Sequence, residues 1–354
     1  MKKKVYIDTI IFDLQKAGGI SLYFYEVISR FLIDNNIDLT LIDSGDCKNN
    51  IFWSKLDLSN IKIITYKKKF NRYRVVNYIE NEEHIFISSY YRYSINKNAT
   101  NITIVHDFTY EHFSKGLKLF VHHKQKAIAI KNSQKIICIS ENTKKDLLKF
   151  CPKESEEKEI VVIYNGASDK FRVLESEEFN EIENKNQYLL EIKEPFVLFV
   201  GARSGYKNWI EAIEIFKQFP QSYNFVSVGG PSLLDEEKIL LSGIKNSHIY
   251  IPPVDEEVLV YLYNKAVCLM YLSNYEGFGI PVVEAQKCGC HVIAKPVSSI
   301  PEVAGEGTLL LEDDISIEKT LTFLSKEFNY TPIFSWDKCY KELINVFGGY
   351  ICTR

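Results

Sequence analysis

Short runs of β-branched and aromatic residues alternate with helical patterns along the whole chain, and this alternation limits the possible folds more than any other feature. Such alternation is typical of parallel βαβ units, in which helices cover a parallel sheet. The runs predicted as strands form two successive series, at 5–7, 39–42, 61–65, 85–88, 102–105, 136–140 and 161–164, and then at 196–200, 225–228, 249–251, 267–271, 292–294 and 309–311. We therefore predict an α/β protein with two Rossmann-like parallel-sheet domains that face a central cleft.

The length of 354 residues also favours two domains, because a single hydrophobic core rarely serves a chain of that size. Between the two series, residues 175–194 are rich in Glu and Asn and end before Pro195, so we predict an interdomain linker there. The predicted domains are then 1–174 and 195–334. Residues 335–354 are predicted to contain a last helix, with an apolar stripe from Trp336 to Phe347.

Charge is distributed unevenly between the two halves of the chain. Residues 1–150 contain 24 Lys and Arg against 15 Asp and Glu, a balance of +9, whereas residues 151–354 have a balance of −12. The basic half indicates an anionic surface or substrate. A nucleic acid is the obvious alternative, but the sequence has no recognition-helix, ribonucleoprotein or zinc-finger signature, so we expect no nucleic-acid partner.

The eight cysteines are scattered, and only Cys288 and Cys290 lie close together. No second pair or His accompanies them at metal spacing, so we expect reduced thiols, no zinc site and a cytoplasmic setting. No Asp-x-Asp sequence occurs, and we therefore expect neither a catalytic metal nor another cofactor. No apolar run approaches the length of a membrane-spanning helix, so a soluble or peripheral protein is expected.

The stretch 276–284, Glu-Gly-Phe-Gly-Ile-Pro-Val-Val-Glu, follows the strand predicted at 267–271. Pro281 is typical of a first helical residue and Gly289 of a helix end, so Glu284 is expected in the first turn of a helix. N–H groups of the Gly-rich loop and of the helix N-terminus favour a phosphate-like anion. Glu276 and Glu284 would flank that anion and accept hydrogen bonds from hydroxyls of a sugar and a ribose. The alternative is an acidic cap on an ordinary helix.

Two cations follow the strand predicted at 196–200. Arg203 and Lys207 lie in the loop Gly-Ala-Arg-Ser-Gly-Tyr-Lys-Asn, at the carboxyl end of that strand. Ligands of open α/β sheets bind at this end of the strands, where Arg can clamp an anion with its fork and Lys can supply a point charge. Solvated loop charges are the alternative.

Taken together and in this order, these segments resemble the retaining nucleotide-sugar glycosyltransferases of family 4, which have the GT-B fold. The resemblance extends from about residue 12 to residue 347. Beyond the two segments above it includes Gly18-Gly19-Ile20, Val105-His106-Asp107, Ile139-Ser140-Glu141, Asn165-Gly166 and Ser298-Ser299-Ile300-Pro301-Glu302-Val303. No single motif is specific, but the set is.

The resemblance implies a hexosyltransferase of bacterial surface polysaccharide synthesis (O-antigen or capsule), with mannose from GDP-mannose as the first expectation and a saccharide or lipid-linked saccharide as acceptor. It also implies retention of anomeric configuration without a metal, and a terminal helix that crosses back to the first domain. The implied catalytic residues are Glu276, Arg203, Lys207 and His106. The implied donor-binding residues are Gly18, Gly19, Gly277, Phe278, Gly279 and Glu284.

Predictions also follow for three further groups of residues. Aromatic residues can stack on sugar faces, so Tyr90, Tyr91 and Arg92 are predicted to line an acceptor site, with packing at a domain edge as the alternative. His122 and His123 are adjacent and point in different directions on a helix, so we expect both at the surface. Cations interleaved with aromatics in 66–74 predict a dock for an anionic membrane, with a solvated loop as the alternative. The cations of this dock are Lys67, Lys68, Lys69, Arg72 and Arg74.

Three other functions remain as alternatives. A nucleotide-sugar epimerase or hydrolase has the same fold, and a nucleotide-sugar-binding subunit has the same motifs without activity. An NAD-dependent Rossmann enzyme is disfavoured, because no Gly-x-Gly-x-x-Gly follows a predicted strand.

Overall fold

The computed structural model describes residues 2–66, 70–77, 82–203, 205–244, 248–311 and 316–348. The chain divides into two compact units, one formed by Met1–Asn165 with Trp336–Arg354 and the other by Gly166–Ser335. Each unit has its own parallel sheet. In the part of the chain that is described, no helix is both long enough and apolar enough to cross a membrane.

The first unit contains a seven-stranded sheet in the order β3-β2-β1-β4-β5-β6-β7. Its strands are β1 (Lys3–Asp8), β2 (Ile37–Asp43), β3 (Lys62–Thr65), β4 (His84–Ser88), β5 (Ala99–Val105), β6 (Lys135–Cys138) and β7 (Glu159–Val162). The helices between them are α1 (Ile11–Leu14), α2 (Gly19–Ile33), α3 (Thr109–Phe113), α4 (Gly116–Lys131), α5 (Glu141–Phe150) and α6 (Pro152–Ser155). All five side chains of β4 are buried, as expected for a parallel strand covered on both faces.

The second unit contains a six-stranded sheet in the order β10-β9-β8-β11-β12-β13. Its strands are β8 (Phe196–Val200), β9 (Asn224–Val228), β10 (His248–Ile251), β11 (Cys268–Tyr271), β12 (His291–Ala294) and β13 (Thr308–Leu310). The helices are α7 (Ser176–Lys185), α8 (Trp209–Phe216), α9 (Asp235–Ser242), α10 (Glu256–Lys265), α11 (Ile280–Lys287), α12 (Ile300–Val303) and α13 (Ile317–Leu324). Each of the predicted strand runs overlaps one of the observed strands in the two sheets, so the α/β, Rossmann-like prediction is confirmed.

The last helix, α14 (Trp336–Val346), belongs to the first unit and packs on α2. Arg30 forms an ion pair with Asp337 at 2.8 Å. The hydroxyl of Tyr340 donates a hydrogen bond to Asp34 at 2.8 Å, and the Tyr340 ring packs edge-on against Phe31. The apolar stripe of α14 is therefore buried within the first unit.

The structure corrects the predicted linker. Residues 175–194 are part of the second unit, and the chain passes between the units at 165–166 and 335–336 instead. They form α7 and a 3-10 helix, Gln187–Glu191, which bury Ile182 and Leu189. The Glu- and Asn-rich composition belongs to the exposed face of an amphipathic helix, and the apolar residues between the polar ones anchor it.

Candidate functional site

Two loops of the second unit begin side by side at the point where the strand order reverses. β8 pairs with β11 in the centre of the sheet, with Val197 opposite Cys268. The loop 201–208 follows β8, and the loop 272–279 follows β11. A hydrogen bond of 2.8 Å from the Asn274 amide to the Tyr206 carbonyl joins them. This position is where open α/β sheets bind ligands.

Lys207 and Glu276 form an ion pair across these loops. The Lys207 Nζ lies 2.7 Å from Glu276 Oε1 and 3.3 Å from the hydroxyl of Tyr271. The side chains of the pair are 20% and 11% exposed. Burial opposes the charge of Lys207, but the carboxylate of Glu276 and the hydroxyls of Tyr271 and Tyr206 together outweigh it and raise the pKa of the ammonium. Lys207 is thus a permanent cation with part of its surface open to solvent.

The backbone of Glu276 is held from both sides by two serines. The Glu276 amide donates to Ser298 Oγ at 2.8 Å, and the Glu276 carbonyl accepts from Ser299 Oγ at 2.9 Å. These serines begin the segment 298–303 that the sequence singled out, so the structure gives this segment a positioning role. No signal in the sequence linked the two segments, which are about twenty residues apart.

The helix α11 begins directly after the Gly-rich loop. Gly279 precedes it with a φ of 101°, and a Cβ there would lie 2.9 Å from Ile300 Cδ1, so both conformation and space favour glycine. The side chain of Phe278 is buried against Phe334. Phe278 can therefore contact a donor only through its backbone.

Glu284 lies deeper than the sequence indicated. It is the fifth residue of α11 and so lies in the second turn, not in the first as predicted. Its side chain is buried and accepts a hydrogen bond from the Tyr263 hydroxyl at 3.2 Å. Burial raises the pKa of Glu284 to about 8. The carboxyl is therefore mostly protonated at neutral pH, and it can donate a hydrogen bond as well as accept one.

The side chain of Arg203 forms its hydrogen bonds away from the Lys207–Glu276 pair. The Nε of Arg203 lies 3.1 Å from Glu237 Oε1, and its Nη1 donates to the Gly229 carbonyl at 2.8 Å. Its Nη2 donates to the Pro231 carbonyl, and only 2% of the side chain is exposed. All three nitrogens of the predicted phosphate clamp are thus engaged with the loop 229–231 and with α9.

In the first unit, His106 follows β5 at its carboxyl end, as predicted. It is 5% exposed, and the rings of Tyr23 and Phe24 pack against it. Burial lowers the pKa of His106 to about 4, so the ring is neutral. Within the described residues, Nε2 of His106 is buried without a hydrogen-bond partner, so one nitrogen of the ring is left unsatisfied.

The loop predicted to approach the donor precedes α2. Gly18 is the residue before the helix, and its carbonyl accepts from the hydroxyl of Ser21 at 2.9 Å. Gly19 is the first residue of α2, and the space where its Cβ would lie is open. The side chain of Gln15 lies against Gly18, and its Oε1 accepts a hydrogen bond from the Ser21 amide at 3.3 Å, so it partly covers the amino end of α2.

The predicted acceptor residues are mainly structural. Arg92 is buried and forms an ion pair with Asp8 at 2.8 Å, and it also donates to the carbonyl of Arg74. Tyr91 is 7% exposed. The hydroxyl of Tyr90 bonds to Nε2 of His122 at 2.7 Å. The acceptor prediction is therefore corrected for Arg92, whose charge is compensated in the core by a residue from the first strand.

His122 is also placed differently from the prediction. It is 4% exposed and stacks on Tyr110, with ring centroids 3.7 Å apart. Burial lowers the pKa of His122 to about 3. His122 lies on the inner face of α4, where the rings of Tyr90, Tyr91 and Tyr110 surround it. Nothing else in the sequence indicated that His122 is buried. His123, 36% exposed in its side chain, is partly at the surface.

A group of possible metal ligands lies in the first unit, apart from these residues. One atom from each of Asp13, Asp43 and Cys47 lies within 4.8 Å of the others. The thiol of Cys47 donates to Asp43 at 3.1 Å, and burial raises the pKa of Cys47. Hydrogen bonds from the Cys47 thiol to Asp43 and from the Ser44 hydroxyl to Asp13 link these side chains to one another and to the neighbouring loop.

The predicted membrane dock is described only in part. Lys67, Lys68 and Lys69 lie outside the described residues. Arg72 packs over the ring of Tyr90, with its guanidinium carbon 4.8 Å from the ring centroid. Arg74 is exposed.

Comparison with known proteins finds a family model that matches part of the second unit. Residues 180–322 match the family of group 1 glycosyl transferases. The O-antigen chain mannosyltransferase B of Escherichia coli is 27% identical in an alignment of 172 positions that covers 43% of this chain and 45% of that protein. An uncharacterized glycosyltransferase of Methanocaldococcus jannaschii is 28% identical over 91% of this chain and 92% of its own length. The chain thus spans about half of the first relative and nearly all of the second.

Solved structures share the fold. The Anabaena protein HepE, crystallised in complex with UDP-glucose, superposes with a TM-score of 0.69 at 14% identity, over 97% of this chain and 99% of that one. At this identity the likeness establishes the fold alone. The GT-B prediction is confirmed, and the predicted resemblance to nucleotide-sugar glycosyltransferases of family 4 is confirmed as a likeness to group 1 glycosyl transferases and O-antigen mannosyltransferases.

Proposed function

We propose that this chain, a GT-B protein whose residues 180–322 carry the group 1 glycosyl transferase domain, transfers a hexose from a nucleoside diphosphate sugar to a saccharide or lipid-linked saccharide. The single observation that supports this best is the Lys207–Glu276 pair at the reversal point of the second sheet. A partly exposed cation suits a diphosphate, and the carboxylate beside it suits the hydroxyls of the attached sugar.

In the proposed reaction, the bond between the sugar C1 and the diphosphate oxygen breaks, and negative charge develops on the leaving group. Lys207 and the N–H groups at the start of α11 would stabilise that charge, so the reaction would need no metal. The acceptor hydroxyl attacks the same face of an oxocarbenium-like sugar, and its proton goes to the departing phosphate oxygen. The product keeps its anomeric configuration.

Glu284, His106 and the Gly18-Gly19 turn have supporting roles in this proposal. The buried carboxyl of Glu284 would bind the ribose hydroxyls, and the unpartnered nitrogen of His106 would contact the donor sugar. Arg203 would act indirectly, because its fork holds the loop 229–231.

Mannose from GDP-mannose is the donor we propose first. It is supported by the O-antigen mannosyltransferase of Escherichia coli, which is related over about half of its length. HepE was crystallised with UDP-glucose, so UDP-glucose is the second donor to test. Surface polysaccharide is the proposed product class. The proposed compartment is the cytoplasm, because the cysteines of the described residues are free and buried, as expected in a reducing environment.

A thermal-shift screen against GDP, UDP and ADP and their sugars tests the proposal first, because a ligand that binds only the folded state raises the melting temperature. A donor that raises it is then incubated with saccharide acceptors in EDTA, and NMR identifies the anomer formed. We expect transfer with retention. Epimerised or hydrolysed donor without transfer would favour the epimerase or hydrolase alternative, and a bound but unchanged donor would favour the binding subunit.

A further inference from the structure

The outward face of α4 carries large apolar side chains that none of the described residues covers. Leu117 is 77% exposed and Phe120 is 61% exposed, and Val121 and Ile128 are each more than a third exposed. With 100° between successive residues, these positions fall in an arc of about 100°, and Lys124 and Lys131 fall in the same arc. We call the following six residues the α4 face: Leu117, Phe120, Val121, Lys124, Ile128 and Lys131.

The charges of α4 are all of one sign. The helix contains four lysines and neither Asp nor Glu. Lys126 points inward and pairs with Glu111 at 2.9 Å, whereas Lys124 and Lys131 are exposed on the α4 face. The face therefore combines apolar and cationic side chains without an acidic residue of its own.

A cavity of about 420 Å³ adjoins the α4 face within the first unit. Phe120, Val121 and Ile128 line one side, and the segments 72–75 and 91–93 line the other. Arg72 and Arg74 are among the lining residues, and none of the described residues that line the cavity is acidic. The cavity thus extends the same combination of apolar lining and positive charge beyond the helix.

We propose that the α4 face docks on the surface of a bilayer that contains anionic phospholipids. Burial of exposed Leu and Phe side chains in the headgroup boundary lowers the free energy of the bound state. Lysines among them can reach the lipid phosphates with their flexible stems. A protein partner fits less well, because lysine is depleted in the cores of protein interfaces and Lys124 lies in the middle of this stripe. The proposal goes beyond the glycosyl transfer and does not depend on it.

The dock differs from the one that the sequence predicted. The segment 66–74 supplied cations, but its structure gives no helical apolar face among the described residues. The α4 face supplies the apolar part, and Arg72 and Arg74 on the other side of the cavity add charge to it.

Co-sedimentation of the full chain with vesicles tests the proposal. We expect binding to phosphatidylcholine mixed with phosphatidylglycerol, weak binding to phosphatidylcholine alone, and weaker binding as the salt concentration rises. Lys124→Glu with Lys131→Glu should weaken the partition coefficient at least about 25-fold, at roughly five-fold for each cation lost. Leu117→Ser with Phe120→Ser should weaken it at least about ten-fold, because apolar burial is lost.

The controls are matched in charge and exposure. Lys48→Glu with Lys97→Glu changes two exposed lysines elsewhere in the first unit, and Ile33→Ser changes a side chain that is 79% exposed on α2. Neither should alter vesicle binding by more than about two-fold, since they lie off the α4 face. Every variant should keep its melting temperature and its nucleotide-induced shift, which separates failure of this proposal from failure of the proposed reaction.

Three results would overturn the dock. The first is equal binding to both vesicle types at low salt, and the second is equal loss in the control and α4-face variants. The third is self-association in sedimentation that Phe120→Ser abolishes, because a second copy of the chain would then be what covers the α4 face.

Discussion

Replacement of Glu284 by Gln should change how the stability of the protein depends on pH. The carboxyl is buried in α11, and its pKa is raised from 4.5 to about 8 by burial. Between these pH values the folded chain holds a proton that the unfolded chain has lost. The stability gained from this proton is complete below pH 4.5 and is lost as the pH rises through 8.

The size of the effect follows from the shift. At about 1.4 kcal/mol per pKa unit, the interval from 4.5 to about 8 corresponds to a loss on the order of 5 kcal/mol between pH 4 and pH 9. Gln resembles the protonated carboxyl in shape, and it keeps an oxygen to accept from Tyr263. The variant should therefore match the original chain near pH 4 and be more stable by several kcal/mol at pH 9.

Urea unfolding at pH 4.5, 7 and 9 measures the difference in unfolding free energy between Glu284→Gln and the original chain. Hydrogen exchange of the backbone amides in 280–287 monitors the unfolding of α11. Asp8 and Asp13 are also partly or wholly buried with raised pKa values, but they are present in both chains and cancel in the difference. Glu214→Gln, a change of an exposed glutamate, is the control and should leave the pH dependence unchanged. Parallel pH curves for Glu284→Gln and the original chain would refute the buried, protonated carboxyl.

Three cations give the remaining predictions. Lys207→Ala should lower turnover at least ~10-fold, because a charge-assisted contact to the leaving group is lost; unchanged turnover of this variant in steady-state kinetics would contradict its role. Arg203→Ala should destabilise the chain by ~1–3 kcal/mol in urea unfolding, since Glu237 and the Gly229 carbonyl lose their partner; a neutral result would mean that these contacts are not formed in solution. Arg92→Ala should cost ~3–5 kcal/mol, because Asp8 is left charged and buried, and the loss should shrink in the Asp8→Asn background. Equal losses in both backgrounds would exclude that pair.

The strands could be predicted because each is a short apolar run bounded by polar segments, and burial on both faces of a parallel sheet requires such runs. The same reasoning failed for residues 175–194, where frequent Glu and Asn obscured the apolar positions of α7. Phe179 and Ile182 are three residues apart and lie on one face of the helix, and the Phe179 ring packs against Tyr261. The periodic signal was present in the sequence but too short to outweigh the composition.

The direction of a long cationic side chain could not be predicted, since it depends on partners distant in sequence. Arg203 and Lys207 share one loop, yet Arg203 turns to Glu237 and Lys207 turns to Glu276. Arg92, in the loop that follows β4, pairs with Asp8 at the end of β1. A loop sequence specifies that a cation is available near the strand end, and the tertiary arrangement of acids decides which cation remains accessible.

In the proposed donor complex, Lys207 and Glu276 would exchange partners so that neither group lacks a hydrogen-bond partner in a partly dry site. In the free protein each compensates the other at 2.7 Å, which limits the cost of desolvating both groups. A bound diphosphate would add negative charge beside Lys207, and the sugar hydroxyls would satisfy the carboxylate of Glu276 as its lysine turns towards phosphate. The serines at 298 and 299 hold the Glu276 backbone, so that only side chains need to move. A pair that is already formed and already placed is consistent with a site in which little reorganisation accompanies the loss of the leaving group.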